Sequence, residues 1–259
     1  MSSVVFENVS LAYSPGGENA IEDVSLSIRE GEFVAVVGPS GCGKSTLMKL
    51  VTGLKPPTNG YVYVDDREVG GPLKIVGMAF QASNLLPWRT TLDNVLLPLE
   101  IVEPYKSTFR AKRKQYVDRA MQLIETVGLK GWEQKFPWEL SGGMQQRASI
   151  CRALVHEPKL LMLDEPFGAL DAFTREELWC ILRDLHAANP FTVVLVTHDL
   201  REATFLADTV YVMSKRPGRI VTTKHIDLPR PRDLDVTYTA PFAAIVAELR
   251  EHIGALRKH

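Results

Sequence analysis

Short apolar runs alternate with helix-spaced stripes along most of the chain. Phe33-Val34-Ala35-Val36-Val37 is continuous and partly β-branched, as a parallel strand buried on both faces would be. Ile75–Phe80, Leu160–Leu163 and Phe191–Thr197 have the same length and character. Between these runs, apolar residues recur at helical spacing. They do so at Leu47, Met48, Leu50 and Val51, over residues 112–127 up to Gly128, along Ala148, Cys151, Leu154 and Val155, and over residues 171–189. Such alternation predicts an α/β core built on a parallel sheet.

Three stretches depart from that rhythm. Residues 3–12 and 24–29 alternate in polarity around the turn cluster Ser14-Pro15-Gly16-Gly17, and with Tyr61–Val64 they predict a small antiparallel sheet. Residues 85–155 lack strands and read as an inserted helical subdomain. Within it Thr90 or Thr91 caps a helix running through Leu97, while Pro98, Pro104 and the basic run Arg110–Lys114 break up the segment beyond it. That basic run is expected to be a solvated face. Leu206–Met213 and Arg219–Thr223 give the last strands. Phe242, Ile245, Val246, Leu249, Ile253 and Leu256 then mark a closing helix that packs on its own domain. The expected division is a core with its β subdomain over 1–84 and 156–235, the helical subdomain over 85–155, and the terminal helix over 236–259.

Composition narrows the field. The 259 residues are 45% hydrophobic and 24% charged, enough for one large core with a smaller appendage, and the net charge of -1 gives no footprint for nucleic acid. No apolar run approaches the ~18 residues of a membrane span. The opening Met1–Glu7 has no basic stretch followed by an apolar one, so no signal peptide is expected. A soluble chain that does any membrane work through a partner is the expectation. Three scattered cysteines, Cys42, Cys151 and Cys180, give neither a disulfide framework nor metal-ligand spacing and fit a reducing compartment.

The strand at 33–37 runs into Gly38-Pro39-Ser40-Gly41-Cys42-Gly43-Lys44-Ser45-Thr46 and then into a helix. This is a G-x-x-x-x-G-K-[ST] string in strand–loop–helix context, a phosphate-binding P-loop. Gly38, Gly41 and Gly43 let the backbone turn its N–H groups inward on one anion, and the helix adds its positive end. Lys44 brings charge to the β/γ-phosphates, and Ser45 offers a hydroxyl to Mg²⁺ with Thr46 behind it. Cys42, beside Lys44 and a helix N-terminus, is expected to have a depressed pKa.

Asp164-Glu165 ends the strand Leu160–Leu163, on the side where an α/β sheet binds ligands. Beside a P-loop the first acid is the expected Mg²⁺ partner, and Glu165 is placed to orient or deprotonate water. His198 sits at another strand end and is a γ-phosphate candidate. Ser141-Gly142-Gly143 opens a helix and is ready for an anion, although, taken alone, a simply capped helix explains those three residues better. Tyr13, at the end of the first strand, reads from spacing alone as a surface tyrosine.

The whole set, Gly38–Ser45, Gln81, Leu140-Ser141-Gly142-Gly143, Leu160–Pro166, Gly168-Ala169-Leu170-Asp171 and His198, closely resembles the nucleotide-binding subunit of ATP-binding cassette (ABC) transporters, over about Phe6 to Arg219. The resemblance implies a P-loop (RecA-like) ABC ATPase core with an antiparallel β subdomain and an inserted α-helical subdomain. It implies ATP and Mg²⁺ as cofactors, with Ser45, Gln81 and Asp164 toward the metal, and Glu165 and His198 catalytic. Tyr13 becomes the adenine-stacking aromatic, and Gln81 a sensor between site and helical subdomain. Ser141–Gly143 become the signature that meets ATP on an opposite copy, and Asp171 an acid at the dimer interface. The implied partners are a second copy of the chain in a head-to-tail dimer, transmembrane permease subunits and, through them, a substrate-binding protein. The implied location is the cytoplasmic face of a bacterial inner membrane.

Met144 stands where many members have Gln and Gly168 where many have Ser, and neither removes a phosphate donor or an acid. Phe80–Trp88, Ser141–Met144 and Pro166–Asp171 look like importers of the nitrate/sulfonate/taurine group, without the extra β-barrel of sugar importers. In the family, Leu85–Trp88 lies where the membrane subunit docks; packing inside the helical subdomain accounts for it equally well. A DNA-repair or translation ATPase fits poorly, because the chain holds one cassette and Gln81 lies only 60 residues before Ser141. A non-enzymatic regulatory subunit would be expected to lack Lys44, Glu165 or His198, and all three are present.

Overall fold

The computed structural model describes residues 2–255; Leu256 and the last residues of the expected closing helix lie outside the described residues. The chain divides into two compact units, residues 1–73 with 186–259, and residues 74–185.

The first unit opens with β1 (Ser2–Ala12), β2 (Asn19–Arg29), β3 (Phe33–Val37), α1 (Lys44–Val51), β4 (Asn59–Val64) and the two-residue β5 (Arg67–Glu68). Strands β2, β1, β4 and β5 form an antiparallel sheet in that order. β2 begins earlier than its alternation suggests, because Ala20 and Ile21 are buried and Ile21 bridges to Gly218. All five residues of β3 are buried, which is why the run is uniformly apolar.

The second unit holds β6 (Val76–Phe80), α2 (Thr91–Ile101), α3 (Tyr105–Thr108), α4 (Arg113–Thr126), α5 (Gly142–Leu154), β7 (Leu160–Asp164) and most of α6 (Ala172–Ala188). β6 and β7 pair in parallel. Thr90 is the N-cap of α2, its hydroxyl accepting from the Asp93 N–H at 3.2 Å. Pro98 does not end that helix. Its carbonyl still accepts from the Val102 N–H, and α2 continues to Ile101. Buried Asn94 shapes the segment ahead of α2: its amide donates to the carbonyls of Leu86, Arg89 and Thr90 and accepts from the Leu86 N–H at 2.7 Å.

The chain returns to the first unit with β8 (Thr192–Thr197), α7 (Leu200–Leu206), β9 (Thr209–Met213), β10 (Ile220–His225) and α8 (Ala240–Ala255). β3 pairs in parallel with both β8 and β9, and β10 closes an antiparallel hairpin on β9. The apolar run expected as a strand from Leu206 divides. Asp199 caps a helix through Leu206, its carboxylate accepting from the Arg201 N–H at 2.8 Å, and the strand starts at Thr209. In α8, Phe242 and Leu249 are the buried positions. Among the described residues, no helix is long and apolar enough to cross a membrane.

Arg232 is the largest fully buried side chain of the described residues. Its guanidinium donates to the carbonyls of Thr204, Phe205 and Ala207 at the end of α7 and to that of Ile226. Burial pulls its pKa down to about 10, so it is still charged at neutral pH. A planar fork of donors suits carbonyls that an ended helix leaves open. Arg232→Ala is expected to cost about 3 kcal/mol of unfolding free energy, because those carbonyls lose a charged donor. Urea unfolding of the variant measures it, and a loss under ~0.5 kcal/mol, the usual range of a surface substitution, would refute the assignment.

Candidate functional site

In the first unit, Val37 at the end of β3 lies opposite Thr197 at the end of β8. The Gly38–Thr46 loop and His198 therefore leave the sheet side by side, at the carboxyl end where α/β sheets bind ligands. His198 is exposed there, one residue before the Asp199 cap of α7.

The loop is seated by backbone approaches that leave no room for side chains. Gly43, the N-cap of α1, has φ 103°, and a Cβ there would overlap Ile21 Cγ2. A Cβ on Gly38 would come within 2.9 Å of the Met213 carbonyl. From the β9–β10 turn, Gly218 comes so close that a Cβ on it would overlap the carbonyl oxygen of Cys42. Gly218 also donates to the Ala20 carbonyl and accepts from the Glu22 N–H. Gly218 lies far from the motif, and its role is visible only in three dimensions. Gly41 and Ser45 are exposed, while Thr46 is buried. Lys44 is buried, and its ammonium donates to the carbonyls of Gly38 (3.0 Å) and Pro39 (3.2 Å). Its charge is thus held within the loop.

Cys42 corrects an expectation. Its thiol is 1% exposed, and burial pushes its pKa up. Lys44 Nζ, 3.9 Å away, pulls the other way but is outweighed by the loss of solvent.

Tyr13 is half exposed, and its hydroxyl lies 3.1 Å from Thr46 Oγ1. The ring is therefore attached to the P-loop helix rather than lying free on the surface.

In the second unit, Phe80 lies opposite Asp164. Gln81 and Glu165 thus emerge together from adjacent parallel strands. Glu165 has φ 47°, a left-handed conformation uncommon for a residue with a side chain. Asp164 and Glu165 are both partly buried, and Gln81 is exposed. Gly168 bears on Gln81: a Cβ there would lie 3.2 Å from its Nε2, so the absent side chain leaves the amide room.

Ser141 is the N-cap of α5, its hydroxyl accepting from the Met144 N–H at 3.3 Å. Gly142 is open, whereas Gly143 is buried against Thr174, where a Cβ would meet the Thr174 methyl. The same threonine donates its N–H (3.1 Å) and its hydroxyl (2.7 Å) to the Asp171 carboxylate. These bonds hold Asp171 below the usual carboxylate range. Asp171 and Ser141–Gly143 are therefore linked through one side chain.

Three residues not singled out from the sequence tie the Gln81 segment to α5. Gln146 donates to the Phe80 carbonyl at 2.9 Å, Ser83 donates to Gln145 at 3.1 Å, and Arg152 donates to the carbonyls of Ser83 and Asn84. Their only sequence signal is their place on the helix that Ser141 opens. Within Leu85–Trp88 the two readings divide by residue: Leu85 is buried, and Trp88 is 70% exposed.

The family described as ABC transporter matches residues 21–168, more than half of the chain. The chain is 47% identical over 214 residues to the aliphatic sulfonates import ATP-binding protein of Bacillus licheniformis, spanning 83% of this chain and 80% of that one. It is 40% identical over 215 residues to the taurine import ATP-binding protein of Escherichia coli, spanning 83% and 82%. Among solved structures, a dimeric ATP-binding cassette in a post-hydrolysis state bound to ADP and Pi is 32% identical at a TM-score of 0.73, covering 87% of this chain and all of that one. A cassette from a Clostridium perfringens ABC transporter complex shares the fold at a TM-score of 0.75 and 24% identity, covering 100% and 99%. With a P-loop core, an acidic strand end and a glycine-led helix carried on this α/β fold, the chain belongs to the ABC transporter family of ATP-binding proteins.

Proposed function

We propose that this chain is the ATP-hydrolysing subunit of an ABC importer for small anions or organic solutes of the nitrate/sulfonate/taurine kind. It works as a head-to-tail dimer beneath transmembrane permease subunits, at the cytoplasmic face of a bacterial inner membrane, and is served indirectly by a substrate-binding protein. One observation carries the ATPase reading. In each unit, parallel register delivers the motif residues side by side, Val37 with Thr197 and Phe80 with Asp164. The importer reading is supported by these two relatives, which are named for the import of aliphatic sulfonates and of taurine.

Residues 38–46 grip the triphosphate through backbone N–H groups and the positive end of α1, with Lys44 on the β/γ-phosphates. Ser45 at the first turn of α1 and Asp164 at the end of β7, with Gln81, are hard oxygen donors and few in number. That suits Mg²⁺, which keeps several waters and phosphate oxygens among its ligands. When bound, the ion neutralises charge on the phosphates. Glu165 orients and deprotonates the attacking water, its left-handed backbone fixing the carboxylate's direction. His198 contacts the γ-phosphate. Ser141, Gly142 and Gly143 of one copy meet the γ-phosphate held by the other, and Asp171 lies at that interface. Tyr13 stacks on adenine. ATP thus closes the dimer, and hydrolysis reopens it for the permease.

Glu165→Gln is expected to lower steady-state ATP hydrolysis at least ~100-fold, the scale of a lost general base. It should also make the protein elute as a dimer when ATP is present. Hydrolysis near the wild-type rate would remove Glu165 from the role. For the transported class, the protein is expected to co-purify from membranes with a polytopic subunit. In proteoliposomes its ATPase should rise when a binding protein loaded with taurine or an alkanesulfonate is added; a response to sugars alone would overturn the assignment. Burial sets the behaviour of Cys42 as well. With its thiol pKa raised, Cys42 is expected to react with maleimide at pH 7 more slowly than half-buried Cys180, and faster as pH rises. Peptide mass spectrometry over a pH series reads both sites.

A further inference from the structure

Lys49 lies on α1, one turn beyond Thr46. Its side chain is exposed, yet it does not trail into solvent. The ammonium donates to the Tyr13 hydroxyl at 3.4 Å, beyond the edge of the ring, whose centroid is 5.3 Å away. Among the described residues no carboxylate lies within ion-pair distance of it. The same hydroxyl is 3.1 Å from Thr46 Oγ1. Tyr13 is the first residue after β1. Two side chains of one helix hold its hydroxyl, and that helix begins with Lys44 and Ser45.

We propose that Lys49 is a positioning residue for the nucleotide base: by holding the Tyr13 hydroxyl together with Thr46, it keeps the ring at a set distance from the phosphate grip, where the ring takes the adenine. The inference rests on the reading of Tyr13 as the adenine platform. A ring held by its hydroxyl from two side chains loses less freedom when a base stacks on it. Lys49 also sits in the last turn of α1, where a cation suits the helix dipole. It could equally attract phosphate through its charge alone. Both of those roles act without regard to the base.

Calorimetric titration of the full chain with ADP and with pyrophosphate separates these roles, since only ADP carries a base. Lys49→Met is expected to raise the Kd for ADP about two- to fivefold, as loss of one exposed hydrogen bond would. The Kd for pyrophosphate should stay unchanged, and Lys49→Arg should keep the wild-type preference for ADP. Equal weakening of both probes, an unchanged Kd for ADP, or Lys49→Arg behaving as Lys49→Met would overturn the proposal. Tyr13→Ala serves as the control on the underlying reading. If it leaves the preference for ADP over pyrophosphate intact, the platform assignment fails and the inference falls with it. If it abolishes that preference while Lys49→Met does not, Tyr13 keeps its role and only the part given to Lys49 is lost. Thermal unfolding unchanged from wild type shows that these surface substitutions leave the fold intact.

Discussion

Parallel pairing in strict register is the constraint that places the candidate residues within each unit. Hydrogen bonds between parallel strands fix which residues stand opposite each other, and a strand that slipped by one position would turn every side chain to the other face. With Val37 opposite Thr197, the phosphate loop and His198 have to emerge together. With Phe80 opposite Asp164, Gln81 and Glu165 must do the same. The apolar runs that look like mere core are thus what aims the polar residues. β3 and β8 are buried throughout, so any register shift would put polar ends into the interior.

A second layer of control comes from contacts that need the absence of atoms. Gly43 and Gly218 bring backbone against the phosphate loop more closely than any side chain would allow, and Gly168 does so less tightly beside Gln81. In the second unit the same economy is achieved with one threonine. Thr174 donates to the Asp171 carboxylate and packs on Gly143, so the starts of α6 and α5 share one side chain. Gln145, Gln146 and Arg152 extend the link from α5 to the segment around Gln81.

Features set by local pattern were legible in the sequence. The uniformly apolar strands, the Ser141 and Thr90 caps and the loop at Gly38–Thr46 all depend on neighbours a few residues away. Features set by distant neighbours were not. Pro98 looked like a helix end, but its carbonyl still accepts from the Val102 N–H and the helix runs past it. The helix at Leu200–Leu206 was hidden because its buried residues merge with the next strand into one apolar run. Cys42 was judged by the charge beside it, when burial, which sequence does not display, decides its pKa. Tyr13 lies 33 residues before the Thr46 it touches, and Arg232 reads as an ordinary charged residue in a proline-rich tail.

The seating of the phosphate loop by Gly218 has a consequence for the protein's birth. The loop is contiguous in sequence and complete by Thr46, yet the turn it leans on is synthesised 172 residues later. At about 5–20 residues per second, ribosomes need roughly 10–35 s to cover that distance. β8 and β9, the strands that flank β3, also arrive late. A nascent chain therefore carries the most recognisable nucleotide motif in the protein for most of its synthesis without a formed place to put a nucleotide.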